Sequence, residues 1–422
     1  MNVHHTATAP RLGASAPALP RLSRRAGFWA IAFSFLSVAA LSTAPSALYG
    51  LYERQDHLAP LTITVVYAVY AAGVITSLLL AGHVSDWYGR RAVLIPALSL
   101  ATVGTVLFIS WQSLSGLIVA RVLTGLALGA TVATATAYIA DLDAGPDGAV
   151  TRRAQIVAAV ANVGGLAIGP LATGLLARYA PAGGLTLPYV VLLVLLAVAL
   201  VGVVLAPDGR RAAHPLPRYR PQRLTVPALA GRGQFLAAIA GAALAFATLG
   251  LFAGLAGRFL AGPLHHPSPA LTGAAIFLTF GSGVVVQITT AKWPPRRLVA
   301  AGIPPIVLGL AVLVLSAWTA PPSLPLFLAG GVLTGLGASA IFRASLGVAL
   351  ATSRPDERAG TLATFFTTGY AALSLPVLGL GIALQYLSPQ VTLLIFALAV
   401  GLGVLAAAPA LLRRPDMGNA AR

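Results

Sequence analysis

Twelve long apolar blocks dominate this sequence and restrict what the chain can fold into. Several exceed the roughly 18 apolar residues that a bilayer span requires. Only 9% of the residues are charged, against about a quarter in soluble domains, so the chain cannot cover a water-facing surface of ordinary size. The sequence predicts an all-α membrane protein with twelve transmembrane helices, near residues 27–50, 62–82, 92–111, 114–140, 154–178, 187–206, 234–257, 270–291, 298–318, 324–350, 361–386 and 390–411.

A polar segment divides these blocks into two sets of six. Residues 207–232 contain six arginines and several prolines, and we expect them to form a cytoplasmic linker. Residues 27–206 and 233–411 are then predicted to form two six-helix bundles. Residues 1–26 are expected to be a disordered cytoplasmic tail and residues 412–422 a second cytoplasmic tail. The first apolar block is too long for the core of a secretory signal, which predicts a retained span.

The basic residues predict the orientation of the chain. If the spans alternate from a cytoplasmic N-terminus, 22 of the 27 Lys and Arg residues fall on the cytoplasmic side. Arg54, Arg178 and Arg258 fall on the other side, and Arg121 and Arg343 lie within spans. This asymmetry predicts a multi-pass protein of a bacterial inner membrane with both termini in the cytoplasm. Because the arginines separate apolar blocks, the net charge of +17 does not indicate nucleic-acid binding.

The two halves of the chain contain similar segments. The pentapeptide Val122-Leu-Thr-Gly-Leu126 of the fourth block recurs as Val332-Leu-Thr-Gly-Leu336 in the tenth. A proline followed by a tyrosine occurs in the fifth block at Pro170 and in the eleventh at Pro376, at nearly the same offset. These correspondences predict two pseudo-symmetric bundles, an arrangement common in membrane transporters.

Several chemistries are excluded by residues that the sequence lacks. With no cysteine, the chain cannot form disulfides or thiolate metal sites. The single lysine, Lys292, follows Ala291, whereas a phosphate-binding loop requires glycine there. We find no constellation of intramembrane acids, histidines or nucleophiles, so we expect no enzyme activity, no metal and no cofactor. The expected partners are a small solute, the lipid bilayer and a proton or counter-solute, and we expect a monomer.

Three motifs resemble those of a known transporter family. The turn after the second block reads Gly82-His-Val-Ser-Asp86-Trp-Tyr-Gly89-Arg90-Arg91 and resembles the Gly-x-Leu-Ala-Asp-Arg-x-Gly-Arg-Arg signature of the major facilitator superfamily. Val84, Ser85 and Trp87 depart from that pattern. The resemblance covers residues 27–411 and implies that this turn latches the two halves together in one of two alternating states.

The other two motifs resemble those of proton-coupled antiporters in the same superfamily. Arg121-x-x-x-Gly125 matches the Arg-x-x-x-Gly element of their fourth helix. Gly165-x-x-x-Gly169-Pro170-x-x-x-Gly174 resembles their Gly-x-x-x-Gly-Pro-x-x-Gly-Gly motif. Small residues four apart also permit close helix packing in lipid, and the resemblance implies that the proline provides flexure.

The charges inside the spans are the strongest candidates for a solute site. A buried charge is costly in a bilayer and normally faces a wet cavity, which makes Arg121 and Arg343 candidate substrate-binding residues. None of the ten acids lies in the middle of a span, so Asp141, Glu53 and Asp56 remain the candidate proton carriers. Further candidates for the solute path are uncharged: Tyr49, Tyr67, Tyr70, Asn162, Phe246, Phe252, Gln287, Tyr370 and Gln385.

Together these features predict a secondary active transporter that works by alternating access. The antiporter-like motifs favour proton-coupled efflux of a drug or metabolite. Two arginines and no acid in the predicted cavity favour, as the alternative, an exchanger or symporter of organic anions that uses Arg121 and Arg343. A membrane sensor that binds solute without transporting it is the alternative from another class.

Overall fold

The computed structural model describes residues 21–55, 58–145, 149–180, 184–208, 218–227, 229–354 and 357–412. Within these residues, twelve helices are long and apolar enough to cross a membrane, which confirms the predicted twelve spans. The described residues form no β-strand, so the all-α fold is also confirmed. In chain order the spanning helices are α1 (Arg24–Thr43), α2 (Pro60–Ala81), α3 (Arg90–Ser110), α4 (Leu114–Leu142), α5 (Arg152–Tyr179), α6 (Thr186–Leu205), α7 (Leu229–Ala261), α8 (Pro269–Thr289), α9 (Pro295–Trp318), α10 (Leu324–Thr352), α11 (Arg358–Ala383) and α12 (Pro389–Leu412).

Three short helical pieces lie between the first three spans. Helix α1 continues into a 3₁₀ turn at Ala44–Ala47, which is followed by a helix at Tyr49–Gln55. A further short helix, Ser85–Tyr88, lies between α2 and α3. We call the end of the protein that carries this α2–α3 turn the basic end, and the other end the opposite end.

The duplication predicted from the sequence extends to the packing of helix backbones. A Cβ atom added at Gly125 of α4 would overlap the carbonyl oxygen of Tyr70 in α2. At the corresponding position in the second pentapeptide, a Cβ atom on Gly335 of α10 would overlap the carbonyl oxygen of Thr279 in α8. The same glycine therefore brings the fourth helix of each half against the second helix of that half.

The two halves contact each other through α2 with α11 and through α5 with α8. The tightest of these contacts lie toward the opposite end. A Cβ atom added at Gly174 of α5 would overlap the backbone of Pro269, at the start of α8. One added at Gly273 would overlap the carbonyl oxygen of Pro170, and one at Gly381 would overlap Thr64 of α2. The opposite end is therefore closed by helix backbones in direct contact.

Part of the linker lies across the basic end and bonds to both halves. The Gln222 amide donates to the carbonyl oxygen of Leu79 in α2 at 2.8 Å. The Thr225 amide donates to the carbonyl oxygen of Gly360 in α11 at 3.3 Å, and the Thr364 hydroxyl donates to the Thr225 carbonyl at 3.0 Å. Residues 218–227 are thus attached to the basic ends of α2 and α11, which contact each other between the two halves.

Candidate functional site

A cavity lies between the two halves, on the basic-end side of the contacts that close the opposite end. The cavity volume is about 90 Å³. Ligand pockets for small molecules have about 300–1,000 Å³, so the cavity must widen from this state to admit an organic solute. It is lined by Ser42, Thr43, Tyr67, Tyr70, Arg121, Val132, Asn162, Val163 and Leu166 from the first half, and by Phe246, Leu249, Ala253, Phe280, Gln287, Ser339, Phe342, Phe366, Tyr370 and Leu373 from the second.

Arg121 is the charged group of this cavity. It lies two turns into α4 from the opposite end, and its side chain is only 1% exposed. One guanidinium nitrogen donates to the carbonyl oxygen of Ser42 at 2.6 Å, and the guanidinium carbon lies 4.4 Å from the centre of the Tyr70 ring. The Nε atom is buried without a hydrogen-bond partner. Because none of the described lining residues is acidic, the positive charge has no carboxylate to neutralise it.

Other polar groups of the first half line the same cavity. The ring centre of Tyr67 lies 6.0 Å from the Arg121 guanidinium carbon. The hydroxyl of Tyr67 and the amide oxygen of Asn162 are buried and have no hydrogen-bond partner. Buried polar groups are normally paired, so these unpaired atoms are suited to contact a polar solute in the cavity.

The second half contributes a wall of aromatic rings to the same cavity. The Phe246 ring of α7 lies 5.4 Å from the Phe342 ring of α10 and 5.3 Å from the Tyr370 ring of α11, measured between centroids. Phe342 in turn lies 6.4 Å from Phe366. We call Phe246, Phe342, Phe366 and Tyr370 the aromatic wall. It lines the cavity with apolar surface that faces the polar groups of the first half.

The structure divides the predicted substrate-binding residues into two groups. Arg121, Tyr70, Asn162 and Gln287 line the cavity, whereas Tyr49 and Arg343 are not among its lining residues. A guanidinium nitrogen of Arg343 donates to the backbone oxygen of Gln287 at 2.8 Å and to its side-chain oxygen at 3.2 Å. Arg343 therefore lies behind Gln287, and its role in solute binding stays a prediction.

The turn that resembles the superfamily signature forms a charge network within the first half. Gly82 ends α2, and Gly89 begins α3 with φ 95° and ψ 155°, a conformation almost exclusive to glycine. Arg90 donates to Asp86 at 2.6 Å and to Asp141 at 2.9 Å. These partners lie in the first half, so the predicted latch to the second half stays a prediction.

Arg91 extends this network to the beginning of the linker. It forms an ion pair with Asp208 at 2.9 Å, and Asp208 pairs with Arg21 at 2.8 Å. The Arg91 guanidinium holds the pKa of the Asp208 carboxyl below its ordinary value. The start of α1, the start of α3 and the end of α6 are therefore joined at the basic end.

The glycine-proline motif of α5 packs against two different helices. Cβ atoms added at Gly165 and Gly169 would overlap the backbone of α1 at Leu36 and Ala40. Gly174 and Pro170 instead meet the start of α8, in the second half. The first two glycines hold the first half together, and the last part of the motif forms the closed interface between the halves.

The three predicted proton carriers lie in different surroundings. Asp141 is paired with Arg90 in the network at the basic end. Glu53 lies in the short helix at the opposite end, and its carboxylate is 3.9 Å from Arg258 of α7, in the other half. Asp56 lies outside the described residues. Of the two carriers that the structure describes, Glu53 is the one that contacts the other half.

A sequence model described as the Major Facilitator Superfamily matches residues 27–322. The chain belongs to the Major Facilitator Superfamily. Membership makes this chain a transporter rather than an enzyme. No curated protein sequence matches the chain.

Solved structures of other transporters share the fold of this superfamily member. A POT family transporter in complex with 5-aminolevulinic acid has a TM-score of 0.73 at 12% identity, covering 92% of this chain and 97% of that one. The nucleoside transporter NupG has a TM-score of 0.69 at 12% identity, covering 92% and 100%. The human organic anion transporter MFSD10 has a TM-score of 0.63 at 17% identity, covering 93% and 100%. At these identities the likeness shows the fold alone.

Some cavity residues were not predicted from the sequence. Ser42, Thr43, Phe342 and Phe366 line the cavity, whereas Phe252 and Gln385, which were candidates, do not. No sequence signal indicated Phe342, because Ser339 on the same face of α10 was not a candidate either. For Phe366 a signal was available from Tyr370, a candidate four residues further along α11, because residues four apart share one face of a helix.

Proposed function

We propose that this superfamily member is a secondary transporter that carries small organic anions by alternating access. The observation that carries the proposal is the buried guanidinium of Arg121, the charged group among the described residues that line the cavity. A cationic solute would meet a like charge there with no acid to offset it. An anion would instead supply the partner that a buried charge needs.

The structure has the arrangement expected of one of the two alternating states. Helix contacts close the opposite end, and the cavity lies toward the basic end. We place the basic end in the cytoplasm and the protein in a bacterial inner membrane, because that end carries most of the arginines. In this orientation the solute site lies on the cytoplasmic side of the contacts that close the opposite end.

The proposal is tested by comparing ligands of different charge on the purified full-length protein. A ligand that binds the folded state raises the melting temperature by mass action. Carboxylates should raise it increasingly with the logarithm of their concentration above Kd, while amines and amides of matched shape should not. Stabilisation by the amines alone would overturn anion transport. Uptake of a radiolabelled carboxylate hit into proteoliposomes would then distinguish transport from binding alone.

Proton-coupled efflux of a drug or metabolite is a second candidate, and the location of Glu53 favours it. Burial raises the pKa of the Glu53 carboxyl above its usual value of 4.5, and the nearby guanidinium groups of Arg258 and Arg54 offset only part of this rise. A proton on Glu53 is therefore more stable in the closed arrangement than it would be in water. Proton uptake at this position would couple the proton gradient to closure of the opposite end.

The sign of this coupling gives a pH prediction. In an open arrangement, where Glu53 meets water, its pKa should return toward 4.5. Protonation of Glu53 should then favour closure of the opposite end. This contribution is complete below pH 4.5 and is lost as the pH rises through the raised pKa. Because the chain has no cysteine, spin labels at Ser113→Cys and Tyr386→Cys can report the separation of the halves at the opposite end.

We expect this separation to shorten on acidification in the otherwise unchanged protein and to lose its pH dependence in Glu53→Gln. The Asp141→Asn protein is the matched control, because Asp141 lies at the basic end. An unchanged pH profile in Glu53→Gln would exclude Glu53 as the coupling residue.

A further inference from the structure

The charge of the cavity limits the charge of its solute. The described lining residues include one guanidinium and no carboxylate. A solute with one negative charge neutralises this guanidinium. A second negative charge would be buried without a partner, which is strongly unfavourable in a low-dielectric site. The cavity therefore selects a monoanion over a dianion.

The two halves provide different surfaces for the solute. In the first half, Arg121 lines the cavity together with Tyr67 and Asn162, which carry buried polar atoms without a hydrogen-bond partner. In the second half, the aromatic wall runs from Tyr370 through Phe246 to Phe342 and Phe366. Phe246, Phe342 and Phe366 are only partly buried, so their rings have free surface. A solute that enters when the cavity widens would place a charged group at one surface and an apolar body at the other.

The arrangement of the rings favours an aromatic body. The planes of Phe246 and Phe342 are inclined by 65°, and those of Phe246 and Tyr370 by 68°. Edge-to-face contacts of this kind are favourable beyond the apolar area that they bury. A planar ring placed against the free surface of these partly exposed rings would make the same type of contact, which a saturated ring of similar size cannot.

We propose that the solute is an aromatic monoanion, held by Arg121 at its charged end and by the aromatic wall at its ring. This inference rests on the proposed anion transport and specifies its substrate class. Such a solute contacts both halves at once. Because a ligand shifts a conformational equilibrium only by its difference in affinity between the states, simultaneous contact with both halves links binding to their closure around the solute.

The test measures the dissociation constants of complexes between the full-length protein and monocarboxylates that differ in their apolar group. We expect 2-naphthoate and benzoate to bind roughly 10- to 100-fold more tightly than acetate, because a buried ring removes apolar area from water. Benzoate should also bind roughly threefold more tightly than cyclohexanecarboxylate, because of ring–ring contacts. The dianion 2,6-naphthalenedicarboxylate should bind roughly tenfold or more weakly than 2-naphthoate.

Variants of the aromatic wall distinguish the solute's ring from its charge. Phe342→Ala should weaken 2-naphthoate binding by roughly tenfold and leave acetate binding unchanged. Phe277→Ala is the matched control, because Phe277 is an α8 residue that does not line the cavity, and it should change neither. Phe246→Leu, which keeps an apolar side chain but removes a ring, provides the same comparison if Phe342→Ala does not fold.

Three outcomes of these binding measurements would each contradict a different part of the proposal. Equal binding of acetate and 2-naphthoate would overturn the aromatic substrate class and leave anion transport in place. Equal binding of benzoate and cyclohexanecarboxylate would overturn the requirement for an aromatic ring. Binding of 2-naphthylmethylamine with no binding of any carboxylate would overturn the proposed function itself.

Discussion

Replacing Arg121 by glutamine should weaken the binding of organic anions by roughly 30- to 1,000-fold, which corresponds to about 2–4 kcal/mol. The loss is large because the substitution removes the positive charge from a cavity in which the described lining residues supply no other. A buried anion would then have only neutral hydrogen-bond donors. Titration calorimetry with benzoate on the wild-type and Arg121→Gln proteins measures this difference.

Arg121 also holds the backbone of α1 through the Ser42 carbonyl, so folding must be checked separately from binding. Arg121→Lys keeps the charge and should retain more affinity than Arg121→Gln at the same melting temperature. The Arg343→Gln protein provides the comparison, because Arg343 lies behind Gln287. We expect a loss of roughly threefold or less there, as for a distant charge in a partly screened environment. Equal losses at the two arginines would show that both bind the anion.

Replacing Gly273 by valine should shift the protein away from the state that is closed at the opposite end. A side chain at this position would overlap the Pro170 carbonyl oxygen, and backbone cannot be displaced as a flexible side chain can. Overpacking of this kind costs about 1–3 kcal/mol, which is roughly a 5- to 150-fold change in the ratio of the two states. The labels at positions 113 and 386 should move apart.

A matched glycine separates this effect from a general effect of valine in a helix. Gly379 of α11 has no atom within 4 Å of an added Cβ, so Gly379→Val should leave the label separation unchanged. Gly174→Val, which affects the same interface from α5, should act in the same direction as Gly273→Val. If neither interface variant moves the labels, the contact between α5 and α8 does not maintain the closed state.

Residues whose chemistry is unusual for a membrane gave the sharpest predictions of location, although their roles in solute binding stay predictions. An arginine within a span has few places to lie, which is why Arg121 could be assigned to a cavity before its contacts were known. The glycine of the α2–α3 turn was predicted from the motif, and its φ of 95° explains why glycine is present. The twelve spans followed from block length, with helix boundaries that differ from the prediction by a few residues.

Phe246 and Tyr370 of the aromatic wall were candidates, but Phe342 could not be predicted in the same way. In a soluble helix the polar and apolar faces show which side is buried, but a transmembrane helix is apolar both toward lipid and toward a hydrophobic cavity. Phe342 therefore gives the same local signal as a phenylalanine that faces lipid. The sequence also does not show which face of a transmembrane helix is turned toward the cavity. Arg343 contacts Gln287 and does not line the cavity, whereas its neighbour Phe342 does.

The linker segment 218–227 has a consequence for how the halves can move. Its amides at Gln222 and Thr225 are bonded to α2 and α11 in a state whose cavity lies toward the basic end. Any motion that changes the distance between these two helix ends must stretch the segment or release one of its attachments. The conformation of the linker therefore depends on the distance between the halves. Its attachments oppose a change in that distance whether or not a solute is bound.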